Sequence, residues 1–359
     1  MTATITEVAP CRKAVRMQLG LNYLTPLRAA VVEEFQRQCS LAGFRKGKAP
    51  VELVVKQYAD SIQEQTLQRA TKRALEQLAK THDLKPVGPF ELTTATFHET
   101  QGLLLEATVE VEPSFAPGDY RAIPLTKESL DISEEELAQA LERVRESMAQ
   151  LVPAGEGQPK LRQVPAIDDE LAKDMGFERL DQLREHVKAK LIEQRRAHQT
   201  RALEIALEDE LLKRHPFEVP AGLVGRQTER LARDFKARLL LSGMTPEQVE
   251  HERGQLTEPL RQSAERQVKR AFLLERIADA ESITVTEDEL LGRVWQLAQR
   301  WKQDPAKVRH VFDAQALWPS VVSTVRAEKT LAFLLSAAVI TDPAAHPDAA
   351  SPTAPRRVA

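Results

Sequence analysis

The chain has little of what most catalytic or secreted proteins advertise. Cysteine appears twice in 359 residues, at Cys11 and Cys39. No CxxC pair exists, which excludes a disulfide framework or a thiolate zinc site and fits a reducing, cytoplasmic compartment. No charged head followed by an apolar run opens Met1–Pro10. The longest late apolar stretch, Ala332–Ile340, contains Ser336 and falls far short of the roughly 20 residues a bilayer requires, so no membrane partner is expected. Neither GxxxxGK[ST] nor GxGxxG occurs, and Gly47-Lys48 is followed by Ala49 rather than a hydroxyl, so a nucleotide cradle is missing. The eight histidines form no HExxH and no short pairing with cysteine. No nucleophile stands beside a base. The expectation is therefore no metal, no cofactor, no catalytic residue and no enzyme. A formal net charge of −3 also excludes a generally basic nucleic-acid coat, so attraction to phosphate must come from a local patch.

What is present is a chain of 42% hydrophobic and 29% charged residues, long enough for two or three domains. One stretch resists any helix or strand pattern: Gly43-Phe44-Arg45-Lys46-Gly47-Lys48-Ala49-Pro50. Two glycines and a proline interrupt regular structure, and Phe44 lacks an apolar partner beyond Ala42. From Phe35 to Val51 the charged residues are Arg37, Arg45, Lys46 and Lys48, with no acid before Glu52. A presented loop with an anionic partner follows from these residues. A helix-connecting turn whose Phe44 folds back onto its own domain would account for them equally well.

In chain order, Val15, Met17, Leu19 and Leu21 alternate with Arg16, Gln18 and Gly20 as in a half-buried strand. Thr25-Pro26 reads as a helix start, and Pro50 opens about two further helices through Thr81. Thr93–Phe97 and Leu103–Val111, joined near Thr100-Gln101-Gly102, read as a hairpin. Residues 1–112 are thus an α+β domain. Residues 113–151 form an extended connector and an arm helix, capped by Ser133 with Glu136 and striped by Leu137, Leu141, Val144 and Met148 up to Leu151. Residues 152–167, with Pro153, Pro159, Pro165, Gly155 and Gly157, have linker composition.

Residues 168–341 read as helical. Pro220 precedes one helix, Gly243 closes it, and Thr245/Gln248, Thr257 ahead of Pro259, and Thr286/Glu289 mark three further starts. A long helix over Leu183–Leu212 is polar through Glu193–Arg201 and is expected to cross solvent between packed bodies. Trp295 and Trp301 lie on a stripe with Leu290, Val294 and Ala298 and read as core. Residues 342–359, rich in proline and alanine, read as a disordered tail.

The loop Gly43–Pro50 closely resembles the ribosome-binding signature of bacterial trigger factor, with Ala49 where a larger aliphatic is usual. The resemblance extends over most of the chain, through Leu84-Lys85-Pro86-Val87-Gly88, Pro165–Gly176, Val219-Pro220-Ala221 and Asp304-Pro305. It implies an N-terminal α+β ribosome-binding domain followed by an extended, mostly α-helical arm-and-body domain. It implies a role for Gly43, Phe44, Arg45, Lys46, Gly47 and Lys48 in contacting a ribosomal protein and ribosomal RNA at the tunnel exit. The family's FKBP-like prolyl isomerase domain would sit where only the 16 residues 152–167 remain, and even a minimal five-stranded sheet needs roughly 40. The implied function is an ATP-independent chaperone that holds nascent and unfolded polypeptides. A homodimer off the ribosome is compatible with it, and client-contacting residues stay unassigned. Two rivals remain: an RNA-binding protein using the basic loop, and a trigger-factor-like peptidyl-prolyl isomerase.

Overall fold

The computed structural model describes residues 2–41, 43–152 and 161–342. In chain order the elements are β1 (Thr2–Ala9), β2 (Arg12–Leu19), α1 (Leu21–Gln38), α2 (Val51–Gln57), α3 (Ala59–Thr81), β3 (Glu91–His98) and β4 (Gly102–Glu110). They continue with β5 (Pro124–Thr126), α4 (Glu134–Ser147), β6 (Gln150–Val152), β7 (Leu161–Gln163), α5 (Asp169–Asp174) and α6 (Leu180–Arg214). The remainder is α7 (Ala221–Leu241), α8 (Pro246–Ala280), α9 (Glu287–Trp301), α10 (Pro305–Ala314), α11 (Trp318–Ala337) and β8 (Val339–Thr341). The chain divides into two compact units: residues 1–118 with 215–327, and residues 119–214 with 328–359. The α+β class read from the sequence is the observed one.

In the first unit, an antiparallel sheet of order β1-β2-β4-β3 buries one face. Val15, Met17 and Leu19 of β2 register against Ala107, Leu105 and Leu103 of β4. These inward side chains meet Leu24 of α1 and Ala70, Ala74, Leu75 and Leu78 of α3 in one core. The period-two alternation produces this face because successive strand side chains point to opposite sides. The other face carries threonines and ion pairs such as Arg16 with Glu106 at 2.6 Å.

Helices α7 and α8 form an antiparallel pair in the same unit, with Val224, Ala264, Val268 and Phe272 buried between them and Val87, Phe115 and Phe217 packed alongside. Polar contacts join the sheet region to this pair. Glu110 accepts from the Gly222 N–H at 2.5 Å, Arg226 donates to the Val87 carbonyl at 3.0 Å, and Arg276 pairs with Glu112 at 3.1 Å. The Gly222 N–H lies in the first turn of α7, where unsatisfied amides favour a carboxylate. Helices α9 and α10 close a further cluster around Val294, Ala298, Val308 and Phe312.

In the second unit, α4, α5 and α6 share the core of Leu137, Leu141, Leu171, Leu183 and Val187. Strands β5 and β8 pair in parallel, 215 residues apart at Pro124↔Val339.

Several expectations are corrected. Helix α1 begins at Leu21, so Thr25-Pro26 lies inside it; the Thr25 hydroxyl donates back to the Leu21 carbonyl at 2.9 Å instead of capping. Thr257 starts no helix, because α8 runs unbroken through Pro259. Helix α4 stops at Ser147 rather than near Leu151, and β6 and β7 pair across the segment read as a linker; its residues 153–160 lie outside the described residues, as do 343–359 of the expected tail. Trp295 and Trp301 are not core: they are 59% and 51% exposed. The polar middle of α6 is not bare either, since Arg195 donates to the Asp131 carbonyl and pairs with Glu136, and Gln199 donates to the Glu128 carbonyl. Those two side chains bring one side of the run against the connector, while Glu193, Gln194, Arg196, Ala197, His198, Thr200 and Arg201 are exposed, as a polar run is expected to be.

Candidate functional site

The loop begins where α1 ends, with the Cys39 N–H still donating to the Phe35 carbonyl at 2.8 Å. Gly43 and Gly47 hold φ of +88° and +82°. Two left-handed residues within five positions are adopted without steric penalty only by glycine, which is why both belong to the motif. The Phe44 N–H donates to the Leu41 carbonyl at 3.0 Å and the Lys48 N–H to the Arg45 carbonyl at 2.9 Å, so Arg45 and Lys46 sit on a tight turn.

The foot of the loop is fixed. Ala49 is only 3% exposed, packed with Val31, Val54 and Ile62, and its carbonyl accepts from Gln36 Nε2 at 2.7 Å. Phe35 and Tyr58 bracket the same cluster with ring centroids 5.8 Å apart. The tip is free of that cluster: Phe44 is 40% exposed and absent from it, and Arg45, Lys46 and Lys48 are all exposed. The fold-back reading of Phe44 therefore finds no partner in this cluster. What the arrangement can do is present one ring and three cations on a pre-shaped turn, lowering the ordering cost of binding an anionic, partly apolar surface.

Residues beside the loop modulate its charge. Arg37 pairs with Glu33 within α1, and Glu34 pairs with Arg69 of α3. The hydrogen bond from Arg69, reinforced by its charge, holds the Glu34 carboxyl below the usual carboxylate range. Two acids of α1 are thus matched by neighbouring arginines, while the loop's cations are offered outward.

Sequence reading missed the exposed Val51 and Leu53 on the first turn of α2, which extend the apolar surface next to the loop in sequence. Spacing alone does not separate them: Val51, Leu53, Val54 and Val55 fall within five residues, and it is Val54 and Val55 that meet the cluster around Ala49. Among the described residues, no group of three or more His, Cys, Asp or Glu is placed to hold a metal ion, and no helix is long and apolar enough to cross a membrane.

Two family models match the chain. The one for the bacterial trigger factor protein covers residues 1–144, and the one for the trigger factor C-terminus covers residues 179–336. Among similar curated proteins, the trigger factor of Anaeromyxobacter sp. (strain Fw109-5) is 24% identical over 95% of this chain and 99% of its own. That of Solibacter usitatus is 22% identical over 92% of this chain and 98% of its own. Their alignments run to 427 and 413 positions, more than the 359 residues present here, so these relatives carry segments this chain lacks. A solved structure described under promiscuous substrate recognition in folding and assembly activities of the trigger factor chaperone matches with a TM-score of 0.56. It is 21% identical and covers 94% of this chain and 99% of its own, which supports the shared fold.

Proposed function

Because the chain belongs to the bacterial trigger factor family and is a shortened member of it, we propose that it is a ribosome-associated chaperone that docks through the 43–50 loop and holds emerging polypeptides without ATP. The observation that carries the docking half is the loop itself: two left-handed glycines and a buried Ala49 foot accompany a hydrogen-bonded turn on which Phe44, Arg45, Lys46 and Lys48 are exposed. Three cations neutralising three phosphates give about a 20–40-fold loss of affinity between roughly 50 and 200 mM salt. Burying the ring of Phe44 adds about 1.5–3 kcal/mol. Docking of this size is reversible, which suits a protein that must cycle on and off nascent chains.

The holding half is reversible burial of apolar segments, needing no nucleotide and no catalytic group. Between the two family matches lie residues 145–178, too few for an isomerase domain of the expected kind, so the protein acts by holding and not by turnover. A cytoplasmic site of action follows from ribosome association. Binding to ribosomes is compared with binding to naked structured RNA, and aggregation of a refolding protein is followed with and without the chain in nucleotide-free buffer. The account expects preference for ribosomes and suppressed aggregation. Equal affinity for naked RNA favours the RNA-binding rival, and accelerated proline isomerisation in a short peptide favours the isomerase.

A further inference from the structure

A groove runs between α1 and α2, on the helices that carry the docking loop. Thr25, Arg28, Ala29 and Val32 of α1 line one side and Val51 and Val55 of α2 the other, and most of its wall is apolar. Val51 follows the motif's Pro50 directly and is 46% exposed, and it shares one side of α2 with Val55 because residues four apart stack on a helix. The groove is tied to the foot of the loop. Val32 and Val55 pack on the cluster that buries Ala49, and Gln36, which also borders the groove, donates from Nε2 to the Ala49 carbonyl at 2.7 Å. The turn folds back along the same helix, since a Cβ added at Gly47 would lie 3.9 Å from the Arg37 carbonyl oxygen. Groove and loop therefore share the end of α1.

The two parts differ in charge. On the loop, Arg45, Lys46 and Lys48 stand without an acid. On α1 and α2 the cations Arg28, Arg37 and Lys56 are balanced by Glu33, Glu34 and Glu52, and Glu33 itself borders the groove. A neutral surface with a carboxylate at its rim offers a phosphate no net attraction. No aromatic ring lines the groove on which a nucleobase could stack. An apolar side chain, by contrast, gains by leaving water there.

We infer that this groove receives an aliphatic or aromatic side chain from the protein component of the surface on which the loop docks. The inference rests on the docking role proposed above and divides that site in two. The loop's cations hold RNA phosphate, and the α1–α2 groove reads protein. Ala29, Val51 and Val55 thereby join the site as residues that fix where the chain sits, because an apolar pocket accepts a side chain at one place whereas cations accept phosphates along the whole backbone.

The test measures ribosome binding of the full chain by cosedimentation between roughly 50 and 200 mM salt. Val51→Asn is expected to weaken binding about fivefold at every salt concentration, because an apolar contact is lost and no phosphate contact is. Lys46→Ala is expected instead to flatten the dependence of log affinity on log salt by about 0.7–0.9. Ala29→Phe, at an exposed position, fills the groove with the chain's own ring and is expected to weaken binding at least as much as Val51→Asn. Leu53→Asn is the control: Leu53 is 42% exposed but lies about 200° around α2 from Val51, and its loss is expected to leave binding at the wild-type level. Arg28→p-benzoylphenylalanine, also at an exposed position, is expected to cross-link a ribosomal protein on irradiation. Circular dichroism checks the fold of each variant. Wild-type binding by Val51→Asn and Ala29→Phe, an equal loss in Leu53→Asn, a changed salt dependence in Val51→Asn, or a cross-link to RNA or to nothing overturns the assignment. If the wild type itself does not pellet with ribosomes, the docking role fails. If Lys46→Ala weakens binding while the groove variants do not, the docking role stands and the groove inference fails.

Discussion

At the scale of single residues, two small side chains set the geometry on either side of the docking loop's domain. Ala49 fills a buried site where related loops are expected to carry a larger aliphatic, and it is closed in by Val31, Val54 and Ile62. Ala49→Leu is expected to overpack this cluster and lower stability by about 1–3 kcal/mol, measured by thermal or urea unfolding. An unchanged melting curve would mean that the cluster has unseen room. Gly102, at the β3–β4 turn, has φ +87°, and a Cβ there would lie 2.0 Å from the Leu19 carbonyl oxygen. Gly102→Ala is therefore expected to cost at least about 2 kcal/mol, because backbone and not a flexible side chain must give way. The need for glycine at 43 and 47 was legible from the motif. The burial of Ala49 was not, since a lone alanine between a lysine and a proline carries no periodic signal.

At the scale of elements, α8 keeps Pro259 in its interior, where proline removes the hydrogen bond to the carbonyl of residue 255. Pro259→Ala is expected to raise stability by up to about 3 kcal/mol, read from the urea midpoint; a loss would show that α8 depends on its proline bend. Helix α4 offers a pH prediction. Glu136 accepts from the Ser133 N–H at 2.9 Å and pairs with Arg195, and these contacts, the backbone bond first, hold its carboxyl below the ordinary glutamate range. A depressed folded value means the contribution is present above the ordinary range and disappears as pH falls through the folded one. Hydrogen-exchange protection of the first turn of α4 should drop on acidification in the wild type. In Glu136→Gln it should be lower at neutral pH and change little with pH.

Which elements could be read follows from where their information lies. Capping boxes at Ser133, Thr245 and Thr286 are local chemistry, and each appears in the structure with both of its hydrogen bonds. The β5–β8 pairing joins residues more than two hundred positions apart through three-residue strands, too short for any periodicity. Edge strand β1 was missed because its threonines blur the apolar alternation. Thr257-Pro259 imitates a helix start, but the packing of α7 against α8 through Val224, Ala264 and Val268 carries the helix past it. The tryptophans were placed in the core because a stripe assigns a face by spacing alone, and spacing does not say how wide the covered face is.

At the scale of the whole molecule, the chain passes from one compact unit to the other and back, so neither unit is a continuous segment. The docking loop belongs to the unit made of residues 1–118 and 215–327. The most direct measurement is cosedimentation with ribosomes, at low salt, of the wild type and of Phe44→Ala/Arg45→Ala/Lys46→Ala. All three substituted side chains are exposed, so folding is not at stake. The account predicts that the triple variant stays in the supernatant at concentrations where the wild type pellets, while its suppression of aggregation off the ribosome is retained. Equal pelleting of the two proteins would contradict docking through this loop.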